Sequence, residues 1–181
     1  MKTLSSALLA AAVALGGCAA TVEKTGPLGV SPAPIQVPAA SAKRVVLNVQ
    51  LDPRHPADAG WLAFRKEWID ITSEQAGKQG LPLAVQDGEA KPTGEAGVLM
   101  VVKVNDYRHV GIGQRMMLGI MTGNAFIDAR VEFRDLNTGA AFGERNYNTS
   151  SSGGHGVFAA VTPKQIYAIA DETLGEIKVG H

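Results

Sequence analysis

The chain of 181 residues contains one cysteine, Cys18, and four histidines, two residue types that often act as nucleophile, general base or metal ligand. Serines 150–152 lie close to His155, but the G-x-S-x-G pattern that exposes a nucleophilic serine is missing. The histidines show neither H-x-x-x-H nor H-E-x-x-H spacing. The sequence therefore predicts no catalytic residues, no metal site and no cofactor.

Cys18 directly follows a segment with the composition of a secretory signal. Lys2 supplies the positive start, residues 7–15 are apolar, and two glycines precede the cysteine. The apolar run is too short to span a bilayer, which takes about 20 apolar residues. L-G-G-C resembles the lipobox of bacterial lipoproteins, in which the cysteine thiol is joined to diacylglycerol. We therefore predict a lipoprotein signal peptide over residues 1–17 and lipidation of Cys18.

A lipidated Cys18 would anchor the protein to a membrane, because two or more acyl chains give stable attachment. Under the sorting rule of enterobacterial lipoproteins, an aspartate directly after the lipidated cysteine is associated with retention in the inner membrane. This chain has Ala19 at that position. By resemblance to that rule, the expected location is the outer membrane, facing the periplasm.

Charge and composition narrow the class of protein. Basic and acidic residues balance at 17 each, 45% of residues are hydrophobic and 19% are charged. Such a chain has the composition of a globular domain and no net positive field to attract nucleic acid. We expect no nucleic-acid partner.

The segment after the anchor differs from the rest of the chain. Residues 18–43 contain four prolines among small residues, without a helical or strand period. This composition predicts an extended tether of about 70 Å that carries the lipidated cysteine. The alternative is a shorter linker that packs partly on the domain. Residues 44–181 are predicted to form a single globular domain.

Hydrophobic periodicity predicts the elements of that domain. Trp61, Phe64 and Trp68 share one helix face, whereas residues 125–135 alternate apolar and polar side chains as a half-buried strand does. The fold class is α+β, a two-layer arrangement with a mixed, mostly antiparallel sheet of four or five strands and two helices packed on one face. Strands are predicted at 44–51, 83–86, 98–110, 125–135 and 142–149, the last as an edge strand, and a second helix follows residue 162.

Residues 109–126 are unusually rich in glycine and methionine for a connection between two strands. Glycine permits unusual backbone conformations, and methionine supplies adaptable apolar surface. The segment could be core, a surface for a protein partner or for self-association, or a lipid contact. Its candidate interaction residues are Arg115, Met116, Met117, Leu118 and Met121.

The pattern R-x-x-x-G-x-x-x-G before an alternating strand, and D-L-N-T-G at the end of that strand, resembles a group of uncharacterised proteobacterial lipoproteins with a domain of unknown function. Arg115, Gly119 and Gly123 match the first motif; Asp135, Thr138 and Gly139 match the turn of the second. More distantly, the element order is similar to the periplasmic domains of LpoB, CsgG and the TolB amino-terminal region. The resemblance implies a periplasmic binding or assembly module without catalytic residues.

These observations predict an outer-membrane-anchored periplasmic lipoprotein that acts as a non-catalytic binding module for another envelope component, most simply a protein. The alternative is an envelope assembly protein that forms homo-oligomers through residues 111–123 or the strand 142–149. A periplasmic enzyme is a third possibility, which would need a site assembled from residues far apart in sequence.

Overall fold

A computed structural model describes residues 21–29, 31–55, 57, 59–108, 126–150 and 161–178. Within these ranges the chain forms six strands, two α-helices and two short 3₁₀ turns. In chain order the main elements are β1 Thr21–Thr25, β2 Val45–Leu51, α1 Ala59–Lys78, β3 Leu83–Val85, β4 Val98–Arg108, β5 Phe126–Asp135, β6 Ala141–Ser150 and α2 Val161–Lys178.

The strands form one mixed sheet in the order β1-β6-β5-β4-β2-β3. β1 pairs with β6, β6 with β5, and β5 with β4, all three in antiparallel orientation. β2 pairs in parallel with both β4 and β3. The predicted α+β class and the mixed sheet are confirmed. The predicted strand number of four or five is too low for the six observed strands, because β1 comes from the segment that was expected to be a tether.

Both helices pack on the same face of the sheet, as predicted. The stripe Trp61, Phe64 and Trp68 of α1 is buried, and Phe64 stacks on Tyr107 of β4 with ring centroids 4.4 Å apart. From α2, Ile166, Ile169, Leu174 and Ile177 enter the same core. No helix of the described ranges is both long and apolar enough to cross a membrane.

The alternation in β5 determines which side chains the helices cover. Ile127, Ala129, Val131 and Phe133 are buried in the core, and the polar residues between them lie on the opposite face, which we call the open face. Residues 86–97 cover part of this face over β2 and β4, where Asn48 donates hydrogen bonds to the carbonyls of Gln86 and Gly88. Over β5 and β6 the open face carries charged side chains.

The prediction of an extended tether over residues 18–43 is wrong for the part that the structure describes. Thr21–Thr25 is the edge strand of the sheet, and Ile35 and Val37 are only 3% and 1% exposed. Burial of these apolar side chains in the core is favourable, and an extended tether would leave them exposed to water. The domain thus begins well before residue 44, and the alternative of a packed linker describes these residues.

Candidate functional site

Three of the predicted site residues lie in the turn between β5 and β6. The Asp135 carboxylate accepts the backbone N–H groups of Asn137 and Thr138 at 2.7 and 3.0 Å. The Asp135 carbonyl accepts the N–H of Gly139 at 2.8 Å, and Gly139 has a φ of 81°, which favours glycine. The Thr138 hydroxyl accepts the N–H of Ala140. These contacts hold the hairpin together, and they give the motif a structural role.

The remaining predicted site residues lie outside the described residues, so lipidation and the interaction segment stay predictions. Cys18 precedes the described part of the chain, and the others fall between Arg108 and Phe126. They are Arg115, Met116, Met117, Leu118 and Met121.

The described element nearest to Cys18 is β1, which begins only three residues later at Thr21. β1 runs antiparallel to β6, with Thr21 opposite Ser150 and Thr25 opposite Asn146. Three extended residues span at most about 11 Å. A lipid on Cys18 would therefore be attached close to the edge of the folded sheet.

After β1 the chain continues across the domain surface and contributes to the core. Ile35 packs over Gly143 of β6, and a Cβ atom placed on Gly143 would lie only 3.1 Å from Ile35 Cγ1. The missing side chain at Gly143 makes room for Ile35. This close approach fixes the amino-terminal segment to β6 at a second point besides β1.

Beneath this segment lies a group of four charged side chains, which we call the Arg145 cluster. Arg145 of β6 is 4% exposed and donates to both carboxylate oxygens of Glu176 in α2, at 3.1 and 2.9 Å. It also donates to the carbonyl of Ala33 at 2.7 Å. Lys24 of β1 donates to Glu176 at 3.1 Å and to Glu172 at 2.7 Å. The cluster thus joins β1, β6, α2 and the segment around Ala33.

Two members of the Arg145 cluster, Glu176 and Lys24, are held in their charged forms. Burial acts against the charge on Glu176, but hydrogen bonds from Arg145 and Lys24 outweigh it and hold the pKa of Glu176 below its ordinary value. The hydrogen bond to Glu172 raises the pKa of Lys24. Groups shifted in these directions do not exchange protons near pH 7, as general acids and bases must. The geometry suits a structural ion-pair network.

A groove of about 460 Å³ lies over the cluster, between residues 32–35 and α2. Next to the cluster, Tyr147 of β6 is fully buried, and its hydroxyl has no hydrogen-bond partner among the described residues. Burial, with the negative charges of Glu176 and Glu172, raises the pKa of Tyr147 well above its ordinary value. This phenol stays protonated and serves as a packing group.

A second charged group, the open-face cluster, lies on the other side of the sheet. Glu132 of β5 accepts hydrogen bonds from Lys103 at 2.5 Å and from Arg134, while Arg130 donates to Glu144 of β6. Burial opposes the charge on Glu132, but these two donors hold its pKa below the ordinary value. Its side chain is 12% exposed, whereas those of the three cations are 33–44% exposed. The cluster presents three cations to solvent against two carboxylates.

Neither cluster has the composition of a metal centre. Among the described residues, no group of three or more His, Cys, Asp or Glu side chains is placed to hold a metal ion. The acidic groups of both clusters are bonded to Lys and Arg, which leaves ion pairing as the chemistry that these surfaces can offer.

Sequence reasoning did not identify the Arg145 cluster. The alternation in G-E-R-N-Y places Arg145 and Tyr147 on the helix-facing side of β6. Arginine is rarely buried without a charged partner, and the sequence alone does not show that partner. Glu172 and Glu176 are four residues apart and therefore lie on the same face of α2. This spacing was the one indication in the sequence that basic side chains could pair with α2.

Comparisons with known proteins give structural likenesses only. No protein-family model and no curated protein matches the chain. Among solved structures, the chain is similar to a PelC dodecamer from Paraburkholderia phytofirmans, with 16% identity, a TM-score of 0.49, and 83% of this chain and 94% of that chain covered.

Two further solved structures cover similar shares of the chain. A protein from Xanthomonas campestris, of the family model DUF330, has 11% identity and a TM-score of 0.43, with 79% of this chain and 89% of that one covered. The hypothetical protein CT253 from Chlamydia trachomatis has 10% identity and a TM-score of 0.45, with 76% and 99% covered. These likenesses are in backbone structure alone, and they assign the chain to no family. The resemblance to LpoB, CsgG and TolB stays a prediction.

Proposed function

We propose that the protein is an outer-membrane-anchored periplasmic lipoprotein whose domain is a non-catalytic binding module for another envelope protein. The observation that carries the proposal is the start of β1 three residues after the cysteine of the L-G-G-C motif. A signal peptide removed at that cysteine leaves Cys18 as the first residue, three residues before the strand at the sheet edge. Ala19 at the next position supports sorting to the outer membrane.

The open-face cluster is the surface that we propose for the partner. Its three cations are partly exposed, whereas the helices cover the opposite face of the sheet. Charged surfaces of this kind select partners and speed their association more than they add affinity. The three cations are 33–44% exposed, whereas Glu132 and Glu144 are 12% and 21% exposed, and this difference favours an acidic patch on the partner.

The charge states of the described clusters support a non-catalytic role. Glu132 and Glu176 have pKa values below the ordinary range of their type, and both are bonded to basic side chains. Catalytic carboxylates that transfer protons near neutral pH need shifts in the other direction.

Self-association is the second candidate function, and the structure narrows where it could occur. The strand predicted at 142–149 as a free edge is β6, which pairs with β5 on one side and β1 on the other. This part of the prediction is wrong because residues 21–25 already occupy that edge. Residues 111–123, the other proposed contact, lie outside the described residues.

The anchor is tested by Cys18→Ala in cells that make the full-length protein. We expect the variant to remain an uncleaved precursor in the inner membrane and to lose incorporation of labelled palmitate. Thr21→Ala, close in sequence and without a thiol, serves as the control and should be processed normally. Normal processing and outer-membrane fractionation of Cys18→Ala would refute the anchor.

The partner surface is tested with a photo-crosslinking amino acid at Arg130 in the lipidated protein. The matched control is Lys66, an exposed cation on α1 at the helix-covered side. Adducts to a second protein from position 130 alone would support the binding module. Adducts to another copy of the chain would favour self-association, and equal adducts from both positions would contradict a specific open-face contact.

A further inference from the structure

The structure suggests how a lipid on Cys18 would orient the domain, an inference that rests on the proposed lipidation. We propose that one end of the sheet, formed by Thr21, Arg108 and Phe126 and called the anchor end, lies against the lipid bilayer. The opposite end, with the turn after β5, then points away from the membrane.

Register across the sheet places this end at a single level. Thr21 lies opposite Ser150, Ser150 opposite Phe126, and Phe126 opposite Arg108. Four strands therefore begin or end side by side, within about 15 Å, since neighbouring strands lie about 4.8 Å apart. An attachment point within about 11 Å of Thr21 lies nearer to this row of strand ends than to the opposite end of the sheet.

The reach of the anchor is short compared with the height of the sheet. β5 has ten residues, and strands rise about 3.4 Å per residue. The turn at Asn137 thus lies about 30 Å from the anchor end. A connection of three residues cannot bring that turn to the bilayer while Thr21–Thr25 stays paired with β6.

The residue types at the anchor end suit a lipid headgroup layer. The exposed Arg108 guanidinium lies 5.9 Å from the centre of the Phe126 ring. Cationic and aromatic side chains of this kind are typical of the membrane interface. This observation is independent of the position of Cys18.

The first helix presents its positive end toward the anchor end. Trp61 in the first turn of α1 contacts Tyr107 near the end of β4. The amino terminus of α1 thus lies near the anchor end, where it favours the phosphates of a bilayer surface. The second helix begins beside the middle of α1, since Pro163 borders a groove with Glu67, Asp70 and Ile71.

The test uses the full-length lipidated protein in vesicles of phosphatidylethanolamine and phosphatidylglycerol that contain a nickel-chelating headgroup lipid. Because Cys18 is the only cysteine and is blocked by lipid, Asp106→Cys and Asn137→Cys each add one site for a nitroxide label. Both positions are exposed, and they differ by about 24 Å along β5. Circular dichroism checks that each variant is folded.

We expect the nickel lipid to enhance relaxation of the label at position 106 severalfold more than at position 137. Equal enhancement at the two positions, or a larger one at 137, would overturn the orientation. Mass spectrometry of the amino-terminal peptide distinguishes the two proposals. An unmodified cysteine would overturn both, whereas a lipidated cysteine with equal enhancements would overturn the orientation alone.

Discussion

At the scale of single residues, Arg145 shows how a cation is accommodated inside this domain. Removing a charge from water costs several kcal/mol unless hydrogen bonds and an opposite charge compensate. Glu176 supplies the charge, and the carbonyls of Ala33 and Glu144 accept further hydrogen bonds from the guanidinium. The arginine therefore links β6 to α2 and to the amino-terminal segment.

Replacing the carboxylate should expose the cost of burying this arginine. We expect Glu176→Gln to lower the free energy of unfolding by about 3 kcal/mol, because it leaves a buried cation without its main counter-charge. The matched control is Glu95→Gln, which removes an exposed carboxylate, 56% accessible, paired with Arg44. That variant should lose at most about 1 kcal/mol. Urea unfolding of protein lacking residues 1–18 measures both, and equal losses would contradict the role of the cluster.

Because Tyr147 is a buried phenol, we expect the free energy of unfolding to fall at high pH. The pKa of Tyr147 is raised in the folded protein, so the phenol contributes stability that is fully present below its unfolded pKa of about 10 and declines as the pH rises above that value. Tyr147→Phe should flatten this decline when urea unfolding is repeated between pH 8 and 11. At pH 7 the variant should be at least as stable, because the hydroxyl has no partner among the described residues.

Tyr167→Phe is the control for this titration, since it removes a phenol that is 38% exposed. It should keep the decline seen in the parent protein. A Tyr147→Phe variant that declines as steeply as the parent would show that the buried phenol does not cause the effect.

At the scale of elements, β1 covers a strand that would otherwise be an open edge. Unpaired edge strands offer N–H and C=O groups to other chains and promote aggregation. β1 is short and carries the charged residues Glu23 and Lys24, so the new edge is a poor template for further pairing. The segment around Ile35 then secures β1 by packing on β6.

The packing of this segment is tested at Gly143. We expect Gly143→Val to lower the free energy of unfolding by about 1–3 kcal/mol, because the new side chain occupies the space of Ile35. Ile35→Ala removes that conflict, so the double variant should lose less than the sum of the two single losses. Urea unfolding of the four proteins gives the coupling, and strict additivity would show that the two residues do not contact.

At the scale of the whole molecule, the elements set by local periodicity could be predicted. The helix stripe of Trp61, Phe64 and Trp68 and the alternation in β5 both appear as buried surfaces. Each pattern repeats over several turns or residue pairs, and one face of each element must be covered in a folded domain. The two-layer arrangement follows from those faces.

The amino-terminal segment could not be predicted in the same way. T-V-E-K-T is too short and polar to indicate a strand, and its pairing depends on β6, more than 100 residues later. The prolines of residues 27–38 dominate the composition and conceal the alternation of Ile35 and Val37. Arg145 was missed for the same reason, since its partner Glu176 is brought close only by the fold.

The pairing of β1 with β6 also imposes an order on folding in time. In a chain that is exported amino terminus first, Thr21–Thr25 emerges long before Ala141–Ser150, so the strand has no partner during most of translocation. Under the proposed lipidation, Thr21–Thr25 would still be unpaired when the enzymes that lipidate and cleave a precursor act. Arrival of β6 lets Thr21–Thr25 pair, so the proposed anchoring would precede the closure of this edge of the sheet.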